Sequence, residues 1–256
     1  MAPGIDGIAG QSVLIIGGSS GIGLAAARTF DAAGARVTIV GRSAERGAAA
    51  RAELGAGATF RACDAAEPAS LERMVADTLA AHGRIDTLMV SPGTTRLPEL
   101  LFRQSLEDIR TSLIKDLAPV LLSCRAVLPA MMAQGAGCII NVASDAGKIA
   151  TPGESVIGAN MAAVIQFTRG LAIEGKRNGI RANVITPSLV EGTPLTERLM
   201  AEGTFPAKLF AKARQLAHLG PTTPEDLASL ALFLAGPGAA RITGQAISVN
   251  GGISAA

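Results

Sequence analysis

A cluster of glycines and serines, IIGGSSGIG at residues 15–23, is the first feature with an identifiable chemistry. It follows a short apolar run and precedes an alanine-rich stretch typical of a helix. Glycines allow a tight turn and a close backbone approach, and the start of a helix offers unpaired N–H groups to phosphate. The spacing GxxxGxG therefore favours nucleotide binding, although a plain strand-to-helix turn would use similar residues. The predicted contacts are Gly17, Ser19, Ser20, Gly21, Ile22 and Gly23.

The end of the second apolar run, VTIVGRS, indicates which nucleotide is preferred. A carboxylate about 20 positions after the loop would bind the ribose 2′-hydroxyl of NAD. Gly41 occupies that point here, and Arg42 follows it. A guanidinium can pair with a 2′-phosphate. The sequence therefore favours NADP (NADPH) over NAD, unless Arg42 is simply one of many surface arginines.

These motifs lie in a regular alternation of apolar runs and helical stretches. Strands that are apolar throughout and alternate with helices indicate a parallel sheet covered on both faces. We predict an α/β fold in a single domain over residues 1–256, a Rossmann-type doubly wound parallel β-sheet with helices on both faces. The less periodic stretch 188–225 predicts a pair of short helices before the last strand, which could form a lid over a substrate pocket.

The composition limits the class of protein. Of 256 residues, 48% are apolar, and the net charge is only +2 with basic residues scattered along the chain. This argues against nucleic acid and an anionic membrane surface as partners. Arg125 interrupts the longest candidate for a membrane helix, and the first residues lack the pattern of a signal peptide. The expectation is a cytoplasmic protein.

The cysteines and histidines predict neither disulfides nor a metal site. Cys63, Cys124 and Cys138 are odd in number and far apart, without a CxxC pair. Small buried hydrophobic residues are their simplest interpretation. His82 precedes a glycine at a predicted helix end, and His218 lies in the less periodic stretch, so neither belongs to a recognisable catalytic or metal constellation.

Beyond single motifs, the chain resembles the short-chain dehydrogenase/reductase family from end to end. Residues 16–23 resemble the family's TGxxxGxG, with Ile16 where threonine is usual, and ITGQAISVNGG at 242–252 resembles its C-terminal strand. Asp64 stands where the family has the acidic residue that contacts adenine. Ser144 in NVAS matches the active-site serine.

Two further segments carry the resemblance with changes. VSPG at residues 90–93 stands where the family has NNAG, and NVITPS at 183–188 resembles the segment after the sixth strand, with Ser188 replacing the usual glycine. The resemblance implies an NAD(P)-binding protein. It adds to the predicted cofactor contacts Asp64, Val90, Gly93 and Pro187.

The chain departs from the family at the residues that carry its chemistry. The family's Tyr-x-x-x-Lys pair begins thirteen residues after the serine, and those positions are Ile157 and Met161 in a chain without any tyrosine. In the resembling enzymes the tyrosine moves a proton at the substrate oxygen, and the lysine lowers its pKa and holds the nicotinamide ribose. The family's asparagine in the preceding helix corresponds to Asp116. Ser144 and Asp116 are therefore the predicted catalytic residues, beside an apolar wall of Ile157 and Met161.

Several charged residues near Ser144 could replace the missing pair. Asp145, Lys148 and Glu154 lie on the loop before the next helix, and Lys115 adjoins Asp116. Asp116 is the most suggestive, because it matches a family site position and a buried carboxylate can have a raised pKa. It could equally pair with Lys115 or another cation and be structural.

Three functions remain open at this point. The first is an NADP-dependent oxidoreductase with an atypical site, which transfers hydride to or from a small, apolar carbonyl, alcohol or activated alkene. The second is an NADP-binding pseudoenzyme or a regulatory or sensor protein without redox turnover. The third is a non-redox reaction such as isomerisation or elimination. In the resembling family, helices corresponding to residues 105–134 and 155–175 form a four-helix interface, which implies a homo-oligomer, a dimer or tetramer.

Overall fold

The computed structural model of the chain describes residues 7–94 and 96–256. Its centre is a sheet of seven parallel strands in the order β3-β2-β1-β4-β5-β6-β7. The order runs outwards in both directions from β1 and β4, which confirms the predicted doubly wound fold. The strands are β1 (Ser12–Ile16), β2 (Arg36–Gly41), β3 (Thr59–Ala62), β4 (Thr87–Val90), β5 (Gly137–Val142), β6 (Ile180–Pro187) and β7 (Ala246–Val249).

Helices cover the sheet on both faces. In β1, Val13 and Ile15 join one apolar cluster, and Leu14 and Ile16 join the other, as the alternation of side chains along a strand requires. The helices are α1 (Gly21–Ala32), α2 (Ala44–Ala52), α3 (Pro68–His82), α4 (Leu106–Ser112), α5 (Ala118–Gln134), α6 (Ser155–Gly175), α7 (Pro194–Leu199), α8 (Phe205–Leu216) and α9 (Pro224–Ala235). The first cluster lies under α1, α2 and α9, and the second under α3, α5 and α6.

The stretch predicted as one long helix at 105–134 contains a wide turn. Residues Leu113–Leu117 form a π-helical turn that joins α4 directly to α5. Such turns insert an extra residue into a helix and occur often at functional sites. Asp116 lies in this turn and is buried.

Helix α9 departs from the sequence-based prediction, which placed only a strand after residue 225. Its start has a capping box, in which the Thr223 backbone N–H donates to Asp226 Oδ2 at 2.8 Å, and Pro224 occupies the first turn. Leu227 and Ala231 are fully buried in the cluster shared with α1. The signal was therefore present in the sequence as Thr-Pro-Glu-Asp before an apolar stretch.

Two helical stretches have the length and hydropathy of a membrane span, despite the interruption by Arg125. They are Leu106–Gln134 and Ser155–Asn178. Both pack on this protein's own sheet through the cluster under α3, α5 and α6. A core helix of a water-soluble α/β domain passes the same test, so these stretches are weak evidence for a membrane.

Candidate active site

A cavity of about 730 Å³ opens at the carboxyl ends of the strands. It is lined by residues that follow β1, β2, β4, β5 and β6, and by the segment after β6. Ligands of open parallel sheets bind at this edge, where the strand order reverses. We call one part of the cavity the nucleotide end, lined by residues 17, 19–22, Arg42, Arg46, Asp64 and Lys115. We call the other the reaction end, lined by Asp116, Ser144, Glu154, Ile157 and Met161.

The glycine loop is fixed by backbone contacts that exclude side chains. Gly17 has a φ of +81°, and a Cβ there would lie 2.0 Å from the carbonyl oxygen of Ser91. A Cβ on Gly23 would lie 2.3 Å from the carbonyl oxygen of Gly17. The first intrahelical bond of α1 runs from Leu24 N–H to the Ser20 carbonyl oxygen, at 3.2 Å. The N–H groups of residues 21–23 therefore precede that bond, as an anion site at a helix start requires.

Most of the predicted cofactor contacts line the cavity. Gly17, Ser19, Ser20, Gly21, Ile22, Arg42, Asp64, Gly93 and Pro187 all do so. Gly23 and Val90 do not line it. Gly23 lies behind Gly17 and shapes the loop. Val90, the last residue of β4, is fully buried in the core cluster under α3, α5 and α6.

Two arginines lie at the nucleotide end. Arg42 follows β2, and Arg46 lies in the first turn of α2, where its backbone N–H donates to the Ser43 hydroxyl at 3.2 Å. Both arginine side chains line the cavity. Arg46 was missed from the sequence, although its position four residues after Arg42, at a Ser-capped helix start, could have indicated it.

Asp64 and Lys115 form an ion pair across this end of the cavity. Lys115 Nζ lies 3.4 Å from Asp64 Oδ2. Burial raises the pKa of Asp64, but the Ala66 N–H and the charges of Lys115 and Arg42 outweigh this, so the pKa lies below its ordinary value. Asp64 is therefore held as a carboxylate.

Ser144 stands at the end of β5 in a tight turn against α6. Its hydroxyl accepts a hydrogen bond from Ala146 N–H at 3.2 Å, at the start of the short 3₁₀ turn Asp145–Gly147. A Cβ on Gly147 would lie 2.7 Å from the backbone of α6, and one on Gly158 would lie 2.7 Å from the Ala146 carbonyl oxygen. The serine is therefore fixed relative to the helix that carries Ile157 and Met161.

Three side chains at spacings of three and four residues along α6 line the reaction end. Glu154 precedes the first residue of the helix, and Ile157 and Met161 follow one and two turns later. These spacings put side chains on one helix face. Met161 packs partly against the core, and Ile157 is half-buried. The predicted apolar wall thus lies on the cavity, with a carboxyl group at its outer end.

Asp116 belongs to a buried hydrogen-bond network. Its Oδ2 accepts from the Ser112 hydroxyl at 2.8 Å and from the Thr94 hydroxyl at 3.4 Å. Asn160 Nδ2 in turn donates to the Ser112 hydroxyl at 2.9 Å, which links α6 to the π-helical turn. Asp116 is only 2% exposed. The network fixes the carboxylate beside the cavity.

Asp145 and Lys148 engage the C-terminal segment. Asp145 accepts from the Ser254 hydroxyl at 2.8 Å and also from Asn250 Nδ2. Lys148 Nζ donates to the Ala246 carbonyl oxygen at 2.9 Å. Burial lowers the pKa of Lys148, although the charge of Asp145 partly opposes this effect. Among the described residues, those that line the cavity do not include Lys148.

Glu154 has the electrostatic environment of an acid that titrates near neutrality. Burial raises its pKa to about 7, and a side-chain hydrogen bond with Thr151 offsets only part of that rise. A helix N-terminus favours a carboxylate by about 0.3–1 kcal/mol, which corresponds to less than one pKa unit. The sequence showed Glu154 only as one of several charged residues on a loop, because its burial depends on tertiary packing.

The segment after β6 forms the predicted pair of short helices, α7 and α8. Leu189, Leu199 and Phe210 form a small buried cluster of their own, separate from the two clusters on the sheet. Thr193, at the start of α7, approaches the glycine loop: a Cβ on Gly21 would lie 3.6 Å from its methyl group. Thr193 also lines the cavity, a contact that no sequence pattern indicated.

The residues present fit a bound dinucleotide. The glycine loop presents backbone N–H groups where a side chain would not fit, and the α1 N-cap Ser20 has no side-chain capping bond. Arginines and a fixed carboxylate lie at one end of the same cavity. Phosphate, ribose and base each meet groups suited to them.

Comparisons with known proteins agree with this geometry. A family profile described as Enoyl-(Acyl carrier protein) reductase matches residues 16–254. The chain is 34% identical to a 3-oxoacyl-[acyl-carrier-protein] reductase of Chlamydia pneumoniae, over 96% of this chain and 98% of that protein. It is 33% identical to the 2-(R)-hydroxypropyl-CoM dehydrogenase of Xanthobacter autotrophicus, over 94% and 98% of the two chains.

A solved structure shows the same arrangement. The 3-ketoacyl-(acyl-carrier-protein) reductase of Brucella melitensis, crystallised as a complex with NADH, superposes with a TM-score of 0.88. The two sequences are 30% identical, and the match covers 97% of this chain and all of that one. The likeness therefore extends over the whole fold.

Proposed function

Because the chain belongs to the short-chain dehydrogenase/reductase family, we propose that it is an NADP-dependent oxidoreductase with an atypical active site. Its substrate is a small, apolar carbonyl compound, alcohol or activated alkene, to or from which hydride is transferred. The main support is the single cavity that joins the glycine loop and two arginines to Ser144 and an apolar wall. The related proteins named above are reductases and a dehydrogenase.

In this proposal the chain's own residues bind and orient the substrate and the dinucleotide, and they exclude water from the reacting atoms. When bound, the dinucleotide supplies or accepts the hydride. The Ser144 hydroxyl can donate a hydrogen bond to a substrate oxygen. Ile157 and Met161 keep water from the reacting atoms, and low polarity strengthens the remaining hydrogen bonds there. Asp116 is the second proposed catalytic residue, and it acts through its hydrogen bonds to Ser112 and Thr94.

The preference for NADP is supported by the nucleotide end. Arg42 and Arg46 supply two guanidinium groups where β2 ends, and Gly41 leaves no carboxylate to repel a 2′-phosphate. A Cβ on Gly41 would lie 2.9 Å from the Ser19 hydroxyl oxygen, so a longer side chain would crowd the loop. NADPH should therefore bind more tightly than NADH.

The substrate class is supported by the lining of the reaction end. Leu199, Leu209 and Phe210 from the lid segment line the cavity together with Ile157. These side chains favour apolar bulk, and burial of each methylene group of a substrate contributes about 0.8 kcal/mol. We propose that α7 and α8 form the lid and that they select a small apolar substrate.

Two measurements test this function. Calorimetric titration with NADPH and NADH should give tight binding of NADPH and weaker binding of NADH. A panel of cyclohexanone, cyclohexenone, butanal and crotonaldehyde, together with the matching alcohols and NADP⁺, should then include at least one compound that is turned over. Binding of neither nucleotide would contradict the proposal.

A second candidate function is nucleotide binding without redox turnover. It is favoured by Ile157 and Met161, because neither side chain can exchange a proton with a substrate. A regulatory or sensor protein of this kind would bind NADPH and oxidise it with no member of the panel. The panel therefore separates the two functions.

Assembly and location complete the proposal. Leu106 and Ile173 are 86% and 64% exposed, on the two helical stretches that the family uses for its interface. We propose a homo-oligomer, a dimer or tetramer, in the cytoplasm. Light scattering on the purified protein measures the number of subunits, and a monomer would contradict this part of the proposal.

A further inference from the structure

Glu154 is placed where a proton donor could replace the missing tyrosine. It is the N-cap residue of α6, three residues before Ile157, and both residues line the reaction end. We propose that Glu154 is the proton donor of this enzyme. Its carboxyl group gives a proton to the substrate, and solvent water reprotonates the carboxylate after each turnover. The inference rests on the proposed function, since it assigns one catalytic residue to that reaction.

The geometry of α6 gives Glu154 access to the space beside Ile157. Glu154 is the N-cap and Ile157 the third residue of α6, so the two are neighbours at the helix start; within a helix, residues three apart have Cβ atoms about 5–6 Å apart. A glutamate side chain is long enough to span much of that separation. Isoleucine is shorter than tyrosine, so it leaves the outer part of this space open to the Glu154 carboxyl group. Ser144 is fixed against the same helix by the contact of Gly158 with Ala146.

Among the described residues, the cations that line the cavity are paired with other carboxylates, lie at the nucleotide end or are exposed to solvent. Lys115 pairs with Asp64 at 3.4 Å, and Arg96 pairs with Asp108 at 2.6 Å. Arg42 and Arg46 lie at the nucleotide end, and the remaining lining cation, Arg198, is exposed on α7.

No ion pair of Glu154 is present among the described residues. Burial raises the pKa of Glu154 to about 7, and no charged group contributes to that shift. A buried carboxyl group with no cation beside it favours its protonated form.

The other carboxyl groups of the cavity are held as hydrogen-bond acceptors. Asp64 is paired with Lys115. Asp116 accepts from Ser112 and Thr94, and Asp145 accepts from Ser254 and Asn250. Glu154 also lies at the cavity wall, and among the described residues only a hydrogen bond with Thr151 lowers the pKa of its carboxyl group.

The proposed step balances in protons and electrons. The substrate carbon receives hydride from the bound dinucleotide and is reduced. The electron pair of the broken C=O or C=C π bond takes the proton, at oxygen or at the α-carbon. The O–H bond of the Glu154 carboxyl group breaks, and its electron pair remains on the carboxylate. Water then reprotonates the carboxylate, so Glu154 is unchanged over the cycle.

The first test measures the Glu154 carboxyl group without cofactor or substrate. Protein labelled with ¹³C at glutamate carboxyl carbons should show one resonance that titrates near pH 7 and is absent from Glu154→Gln. Glu174→Gln is the matched control, because Glu174 is exposed at the other end of the same helix. If no resonance near pH 7 depends on Glu154, the inference is overturned.

The second test measures turnover with the fastest compound of the panel. Glu154→Gln should lower kcat at least 100-fold, as expected for loss of a positioned acid, and NADPH affinity by calorimetry should stay unchanged. Reduction by the parent protein should slow above pH 7, and this dependence should disappear in the variant. An unchanged kcat in Glu154→Gln overturns this inference alone. Absence of turnover in the parent protein overturns the proposed function and this inference with it.

Discussion

The two ends of the cavity are built in different ways. At the nucleotide end the backbone carries the function: Gly17 has no room for a Cβ beside Ser91, and the start of α1 presents N–H groups. At the reaction end, the family resemblance implies that side chains carry the function, and Ile157 and Met161 stand where it predicts two of them. Backbone shape depends on sterics that many residues enforce together. Side-chain chemistry can change at one position while the fold persists.

This difference explains how a chain of this family can keep the nucleotide end and still change the reaction end. A substitution in the glycine loop meets backbone atoms and disturbs the fold as well as the site. A substitution at Ile157 extends into a cavity, so neither the core nor the helix opposes it. The reaction end is therefore free to adopt a different proton donor, and Glu154 is the group that the geometry offers.

The largest expected effect comes from restoring the family's pair at the reaction end. In a Glu154→Gln background, which lacks the proposed proton donor, Ile157→Tyr combined with Met161→Lys should raise ketone reduction by about 10²–10⁴-fold, because a positioned acid contributes that much. The rate with cyclohexanone and NADPH measures this. The same pair with Glu154 intact should reduce cyclohexanone at a similar rate. A folded triple variant that binds NADPH but gains no rate over Glu154→Gln would show that more than these two side chains has changed.

The next effect concerns the backbone of the nucleotide end. Gly17→Ala should raise the Kd of NADPH roughly 100-fold, because a Cβ 2.0 Å from the Ser91 carbonyl oxygen must displace the loop or the strand end. Gly57→Ala is the control, since a Cβ at Gly57 meets nothing within 4 Å. Calorimetric titration with NADPH measures the Kd of both variants, and circular dichroism verifies that both are folded. Equal NADPH affinity in the two variants would contradict the role of this loop.

The same contrast governs what could be read from the sequence. The strands, the glycine loop and the start of α6 were predictable, because periodicity and glycine spacing are local properties. Arg46 and Thr193 were missed, because they reach the cavity only through the placement of α2 and α7. The environment of Glu154 depends on burial by chain segments distant in sequence, so no local pattern could have distinguished it from Asp145 or Lys148.

A smaller effect is expected for the side chains that select the nucleotide. The double substitution Arg42→Ala and Arg46→Ala should weaken NADPH binding about 10-fold or more, since a hydrogen bond to a charged group contributes about 1.5–3 kcal/mol. NADH affinity should change little, because NADH lacks the 2′-phosphate. Arg177→Ala, at an exposed arginine after α6, serves as the control. An equal loss of NADPH and NADH binding would mean that the arginines hold the loop rather than select the nucleotide.

The smallest expected effect is on the free energy of unfolding, and it measures how far water is excluded from the Glu154 carboxyl group. The pKa of Glu154 is about 7 in the folded protein, against 4.5 for an ordinary glutamate. The unfolded chain therefore loses this proton at lower pH than the folded one, and the parent protein loses stability as pH rises from about 4.5 through 7.

Glu154→Gln has no such proton to lose. It should be more stable than the parent by about 1–2 kcal/mol at pH 8, a value that allows for partial exposure, and the difference should vanish near pH 4.5. Urea unfolding at the two pH values measures this, with Glu174→Gln expected to follow the parent at both. A difference that stays constant with pH would place the Glu154 carboxylate in water, and the reaction end would then lack the burial that a neutral acid requires.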